Sequence, residues 1–195
     1  MDGRLKAALA VAVTVAALGL YAAFGALGGG GAETAAAAAA RSGGWRFPLG
    51  PGRALVLDVP QGWEVTVRRP VAGPPTILAG PAEGRGFRFL VTPLPAGGAG
   101  PAPADGDLRE YLRRIGSRLA QRSVEGRIEL EPVPGAPGAW FYRLTDRDPG
   151  EGFRHLAQGA RRLDGIILTF TFLSHVPDPP ALRAALRVVA TARAE

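Results

Sequence analysis

Residues 153–173 read FRHLAQGARRLDGIILTFTFL, two long runs that meet at Asp164-Gly165, the second rich in β-branched and aromatic residues. An Asp-Gly pair between such runs predicts a two-residue hairpin turn, with the positive φ that Asp tolerates and Gly supplies freely. The turn sets the pairing. With Leu163 opposite Ile166, Arg161 meets Leu168, Gly159 meets Phe170, Ala157 meets Phe172 and His155 meets Ser174, all on one side of the sheet. Small residues there stand opposite large ones, a surface on which a helix can lie across two phenylalanines. The other side pairs Arg162 with Ile167, Ala160 with Thr169, Gln158 with Thr171 and Arg154 with His175, and reads as polar and wet.

The rest of the domain must fit around that hairpin. Residues 53–59 alternate as a strand, Pro60-Gln61-Gly62 turns the chain, and residues 63–69 alternate again, with Trp63, Val65 and Val67 on one face and Glu64, Thr66 and Arg68 on the other. Shorter strands are predicted over 76–79 and 86–93. Residues 93–106 are almost all Pro, Ala and Gly, which predicts a mobile loop. A helix capped by Asp105 or Asp107 then runs to about Arg122. Leu108, Leu112, Ile115 and Leu119 form its apolar stripe, with Tyr111 at the edge and Arg109, Arg113, Arg114, Arg118 and Arg122 facing water. Strands follow over 126–131 and 139–145, the second with Trp140, Tyr142 and Leu144 on one side. A last helix, capped by Asp178 with Pro179 in its first turn, turns Leu182, Ala185, Leu186 and Val189 inward and ends near Ala192. These elements predict an α+β domain: an antiparallel sheet of about six to eight strands with one helix mid-chain and one at the C-terminus.

Ahead of the domain, Arg4 and Lys6 precede an apolar run, residues 7–27, which opens on Ala7, closes on Leu27 and is broken only by Thr14. A basic segment followed by a hydrophobic one is the order of an export signal, and this run is long enough to cross a bilayer as a helix. Residues 1–27 fit both a cleaved signal peptide and a single transmembrane anchor, and either places the remaining chain outside the cytoplasm, in the periplasm or at the inner membrane. Residues 28–44, mostly Gly and Ala, read as a flexible linker, leaving 45–195 as the folded domain.

A segment of roughly 150 residues suits one domain with one core. Lys and Arg together number 23 against 17 for Asp and Glu, a net charge of +6 carried almost wholly by arginine, since Lys6 is the one lysine. That balance suits anionic partners. The charge is dispersed along the sequence and not gathered into runs, which argues against nucleic acid. The absence of cysteine excludes disulfides, thiol catalysis, iron–sulfur clusters and lipoprotein acylation.

The residues that carry chemistry elsewhere have plainer readings here. Within the sheet His155 and His175 fall on opposite faces of the hairpin, which forbids a shared metal unless His175 has already left the strand. Ser174, His175 and Asp178 spell a hydrolase triad, but they crowd one strand end and no G-x-S-x-G elbow occurs. Glu129 and Glu131 point in parallel beside Arg127, as on a solvated strand face, and not across a substrate. The glycines at 28–31 and at Gly97-Gly98 lack the Lys-Ser/Thr of a phosphate loop. Trp63, Trp140 and Tyr142 could form an aromatic shelf, although aromatics at alternate strand positions belong to cores. No catalytic, metal or cofactor-binding residue is assigned. The one candidate partner surface is the polar side of the hairpin: Arg154, Gln158, Arg162, Thr169 and Thr171.

The opening strand with Val59-Pro60-Gln61-Gly62-Trp63, the long helix after a Pro/Gly loop, the Asp164-Gly165 hairpin and the closing helix together resemble the PsbP-like group, which includes DcrB-type envelope proteins, over about residues 50–192. The resemblance implies an antiparallel sheet between helices, and a role in binding or assembly with no shared catalytic residues. Lipid anchoring does not carry over, because no cysteine follows the signal. The function expected is that of an exported, non-enzymatic cell-envelope domain that binds a protein or small ligand as part of an assembly. The alternatives are a hydrolase or other enzyme with dispersed catalytic residues, and a protein that binds anionic lipid or polyanion through its arginines.

Overall fold

In the computed structural model, which describes residues 44–70, 73–81, 86–96, 107–150 and 152–195, the Asp164-Gly165 turn joins two nine-residue strands, His155–Leu163 (β8) and Ile166–Ser174 (β9). The pairs from His155 with Ser174 to Leu163 with Ile166 are those expected. Among the described residues positive φ is confined to glycines, and Gly165 has φ 66°. The positive φ expected at Asp164 is therefore absent, and the second turn residue alone is left-handed. Arg53 steadies the turn by donating from Nη2 to the Asp164 carbonyl at 2.7 Å. The small-against-large pairing has a steric basis at Gly159, where a Cβ would come within 2.4 Å of both Phe170 Cζ and the Trp140 carbonyl oxygen.

The hairpin lies inside a seven-stranded antiparallel sheet. Its order is β3 (Trp63–Arg68), β4 (Thr76–Pro81), β5 (Phe87–Pro95), β9, β8, β7 (Trp140–Thr145) and β6 (Glu131–Pro132). A second, three-stranded sheet is made of β1 (Trp45–Gly50), β2 (Arg53–Leu57) and β10 (Arg193–Ala194). The mid-chain helix α1 is Leu108–Arg122 and the closing helix α2 is Pro179–Thr191, so the chain has the α+β architecture its sequence predicts. Among the described residues no helix is long and apolar enough to cross a membrane; the apolar run 7–27 and linker residues 28–43 lie outside them.

Several boundaries differ from expectation for identifiable reasons. β1 and β10 are additional: β1 carries Pro48, which its edge position tolerates, and β10 is two residues long. β5 continues through Pro93 and Pro95, part of the stretch read as a loop, whose residues 97–106 lie outside the described ones. There β5 has run past the start of β4 and pairs with β9 alone, so a missing N–H breaks no ladder on the open side. The strand expected over 126–131 shrinks to Glu131–Pro132, with Arg127 and Glu129 paired to each other outside it.

The two faces of the large sheet have separate covers. On one, the cross-strand row Val67–Ile77–Val91–Phe170–Gly159–Phe141 packs against Trp45, Phe47, Leu55 and Leu57 of the small sheet and Ala185, Leu186, Val188 and Val189 of α2. Asp178 caps α2 by accepting from the Ala181 amide at 3.0 Å. At its other end Arg161, reaching up from β8, donates to the carbonyls of Val189, Ala190 and Ala192 at 2.5, 2.7 and 3.0 Å, a cation placed at the negative end of the helix.

On the opposite face, α1 rests on β7 and β8. Asp107 is its cap, accepting from the Arg109 amide at 2.9 Å. Leu108, Tyr111, Leu112, Gly116 and Ala120 are its buried residues, so Tyr111 belongs to the packed face and not its edge, and Gly116 sits against the ring of Tyr142. The hairpin side expected to be wet is thus largely covered, with Ala160 and Ile167 fully buried under α1.

Candidate functional site

Beyond the reach of α1, the same face continues over β3, β4 and β5 with polar rows. Arg68 stands beside Thr76, the Thr76 and Thr92 hydroxyls are 3.1 Å apart, and Thr169, opposite Thr92, donates to the Thr92 carbonyl at 3.1 Å. The next row is Thr66–Leu78–Leu90–Thr171–Gln158–Tyr142. In it the Tyr142 hydroxyl donates to Gln158 Oε1 and Gln158 Nε2 donates to Thr171 Oγ1 at 3.4 Å. Burial first, then nearby Tyr111, raises the pKa of the Tyr142 phenol far above its ordinary value, so it remains a neutral donor.

Three of the five residues nominated from the sequence, Gln158, Thr169 and Thr171, are therefore brought together, half-buried and hydrogen-bonded. The other two are not. Arg154 lies just ahead of β8 and Arg162 next to the turn, both exposed, at opposite ends of a strand whose side chains spread over about 26 Å for eight residues. The five share a face without forming one groove.

The strongest electrostatic feature beside that face is α1. Arg109, Arg113, Arg114, Arg118 and Arg122 are all exposed on its solvent side, against one acidic residue, Glu110. Arg109 pairs with Asp107 at 3.3 Å and lies over the Trp140 ring at 5.2 Å, while Arg114 lies 5.9 Å over Tyr111. The aromatic contacts steady two guanidinium groups without neutralising them. Charge that looks dispersed along the sequence is wound by the 3.6-residue period around roughly 220° of a helix about 20 Å long, the arc that α1 leaves to solvent.

At the end of the sheet where β8 starts and β9 finishes, a cleft of about 320 Å³ opens beside the start of α2. His155, Ser174, Phe172, Asp178, Glu125 and Glu131 are among its lining residues. Ser174 is 1% exposed, and its hydroxyl has no hydrogen-bond partner. The letters of the hydrolase triad are thus rearranged: His155, not His175, stands across from Ser174, and His175 packs its ring 4.4 Å from that of Phe153. No hydrogen bond joins Ser174 to His155, and Asp178 is engaged as the cap of α2. Glu129 pairs with Arg127 and Glu131 with Arg143. Among the described residues no group of three or more His, Asp or Glu is placed to hold a metal. Trp63 packs on Phe87, centroids 5.3 Å apart, on the face opposite Trp140 and Tyr142, so the three aromatics form no shelf.

Sequence reasoning named Ser174 and Asp178 but had no signal for the cleft itself, which five separate segments build. Comparison with protein-family models, with curated proteins and with solved structures finds no match for this chain.

Proposed function

We propose that the chain is an exported, non-enzymatic domain of the cell envelope that binds an anionic partner through the arginine side of α1. The observation that carries this reading is the set of five exposed arginines against a single glutamate on one helix. A basic stripe of this kind draws an anionic surface by about 1 kcal/mol per cation close to it, an attraction that salt screens. The apolar run 7–27 supports the envelope location, since it fits both export and anchoring. The resemblance to PsbP-like proteins supports a role in binding.

Crosslinking in intact cells, comparing the natural chain with the double variant Arg113→Glu/Arg118→Glu, tests the proposal. Neighbours captured by the natural chain are expected to be lost from the variant. A parallel arm uses vesicles with and without anionic lipid. Binding to the anionic vesicles alone, falling about tenfold or more between low and physiological salt, identifies the partner as lipid. Capture in cells without vesicle binding identifies it as an acidic protein. Identical capture by variant and natural chain would overturn the proposal.

A further inference from the structure

The cleft at the end of the sheet has the opposite electrical character to α1. Four carboxylates line it, Glu125, Glu129, Glu131 and Asp178, against two guanidinium groups, Arg127 and Arg143. Each arginine is already paired, Arg127 with Glu129 and Arg143 with Glu131. Glu125 and Asp178 are left without a cationic partner among the described residues. Each is held by a backbone amide: Glu125 Oε2 accepts from the Thr145 N–H at 2.8 Å, and Asp178 Oδ1 from the Ala181 N–H at 3.0 Å. Burial raises the Glu125 pKa, but the hydrogen bonds from Thr145 and Ser123 outweigh it and leave the carboxyl below its ordinary value, an anion at neutral pH.

Two further features point to a ligand. Ser174 lines this cleft, 1% exposed, and its buried hydroxyl has no partner, although buried polar groups are almost always satisfied. Around it the lining is apolar, from Phe172, Ala157 and Leu182, and the volume of about 320 Å³ falls at the lower end of small-molecule sites. The register explains why the cleft is here. In the row Val65–Ala79–Phe89–Phe172–Ala157–Arg143 the apolar series ends at Arg143, and the cover over the sheet ends with it.

We propose that this cleft binds a small amine: an ammonium group on a compact apolar body, which packs on Phe172 and Leu182 while its N–H groups meet the Ser174 hydroxyl oxygen and the carboxylates of Glu125 and Asp178. The site is independent of the arginine side of α1, which lies on the other face of the sheet.

The test is calorimetric titration of the full chain with three probes of one shape, benzylammonium, benzyl alcohol and benzoate. Benzylammonium is expected to bind with one-to-one stoichiometry, benzyl alcohol at least about tenfold more weakly, and benzoate not at all. Ser174→Ala removes a hydroxyl that has no protein partner, so the variant stays folded, and it is expected to bind benzylammonium about tenfold more weakly. Leu182→Trp, which fills the cleft from its half-buried wall, abolishes binding. Arg113→Glu/Arg118→Glu leaves it unchanged, which separates this site from the α1 face. Equal binding of the three probes, or full affinity in both Ser174→Ala and Leu182→Trp, would overturn the proposal.

Discussion

The two faces of the seven-stranded sheet are built from the same strands, yet one is closed from β3 to β7 and the other over β7 and β8 with the apolar positions Ile167 and Leu173 of β9 and Leu90 of β5. On the closed face the row Val67–Ile77–Val91–Phe170–Gly159–Phe141 is apolar across six strands, and it takes a whole layer, the small sheet with α2. On the other face the corresponding row runs from Arg68 through Thr76, Thr92 and Thr169 before it reaches Ala160 and Trp140. There α1 covers the part that is apolar and stops. The cover follows the composition of the cross-strand rows, because burying apolar area is what holds a layer in place, and hydroxyls that hydrogen-bond among themselves gain little from a lid.

The sharpest way to break the comparison is to take matched residues from β9. Phe170→Ala on the closed face is expected to lose about 3–5 kcal/mol in urea unfolding, the cost of a large core cavity. Next in size, Arg161→Ala removes three carbonyl contacts at the end of α2 and is expected to cost about 2 kcal/mol, with hydrogen exchange rising in the last turn of that helix before anywhere else. Tyr142→Phe, under α1, deletes the donor to Gln158 and is expected to cost about 1 kcal/mol at neutral pH.

The same substitution has a pH signature. The Tyr142 pKa is raised in the fold above its ordinary 10.0, so its contribution is whole below pH 10 and is lost as pH climbs beyond it, where the unfolded chain releases a proton that the fold retains. Stability of the natural chain should therefore fall as pH rises above about 10, and Tyr142→Phe should flatten that fall without removing it, since burial raises Tyr111 as well. The smallest effect is expected for Thr169→Val on the open face, no more than about 0.5 kcal/mol. A loss there as large as that of Phe170→Ala would mean that the two faces do not differ as described.

How legible these features were depends on how local they are. The hairpin could be read in full because one dipeptide sets the register of eighteen residues. Both helices could be read because their caps and apolar periods lie within single segments. The small sheet could not: β10 is two residues long and takes its identity from β2, far away in the chain. The α1 arginines were placed on the solvent side by their spacing, but their concentration is visible only around the helix axis, not along the sequence. Arg154 and Arg162 show a different failure, since alternation reports the side of a strand and not position along it. The cleft was the least legible feature. The register pairs His155 with Ser174, but no pattern within β8 or β9 says that α2 will begin beside them and leave the serine hydroxyl without a partner.

The closure of the small sheet carries a kinetic consequence. Arg193, at the start of β10, reaches Asp58, just past β2, across 135 positions of chain, whereas β8 and β9 meet through a two-residue turn. Loop entropy makes the short closure fast and the long one slow, so the β8–β9 pairing should gain protection in pulsed hydrogen exchange well before the pairing of β10 with β2 does. Until then β2 keeps an open edge beside an apolar face, and a folding chain passes through an interval in which that strand awaits its last neighbour.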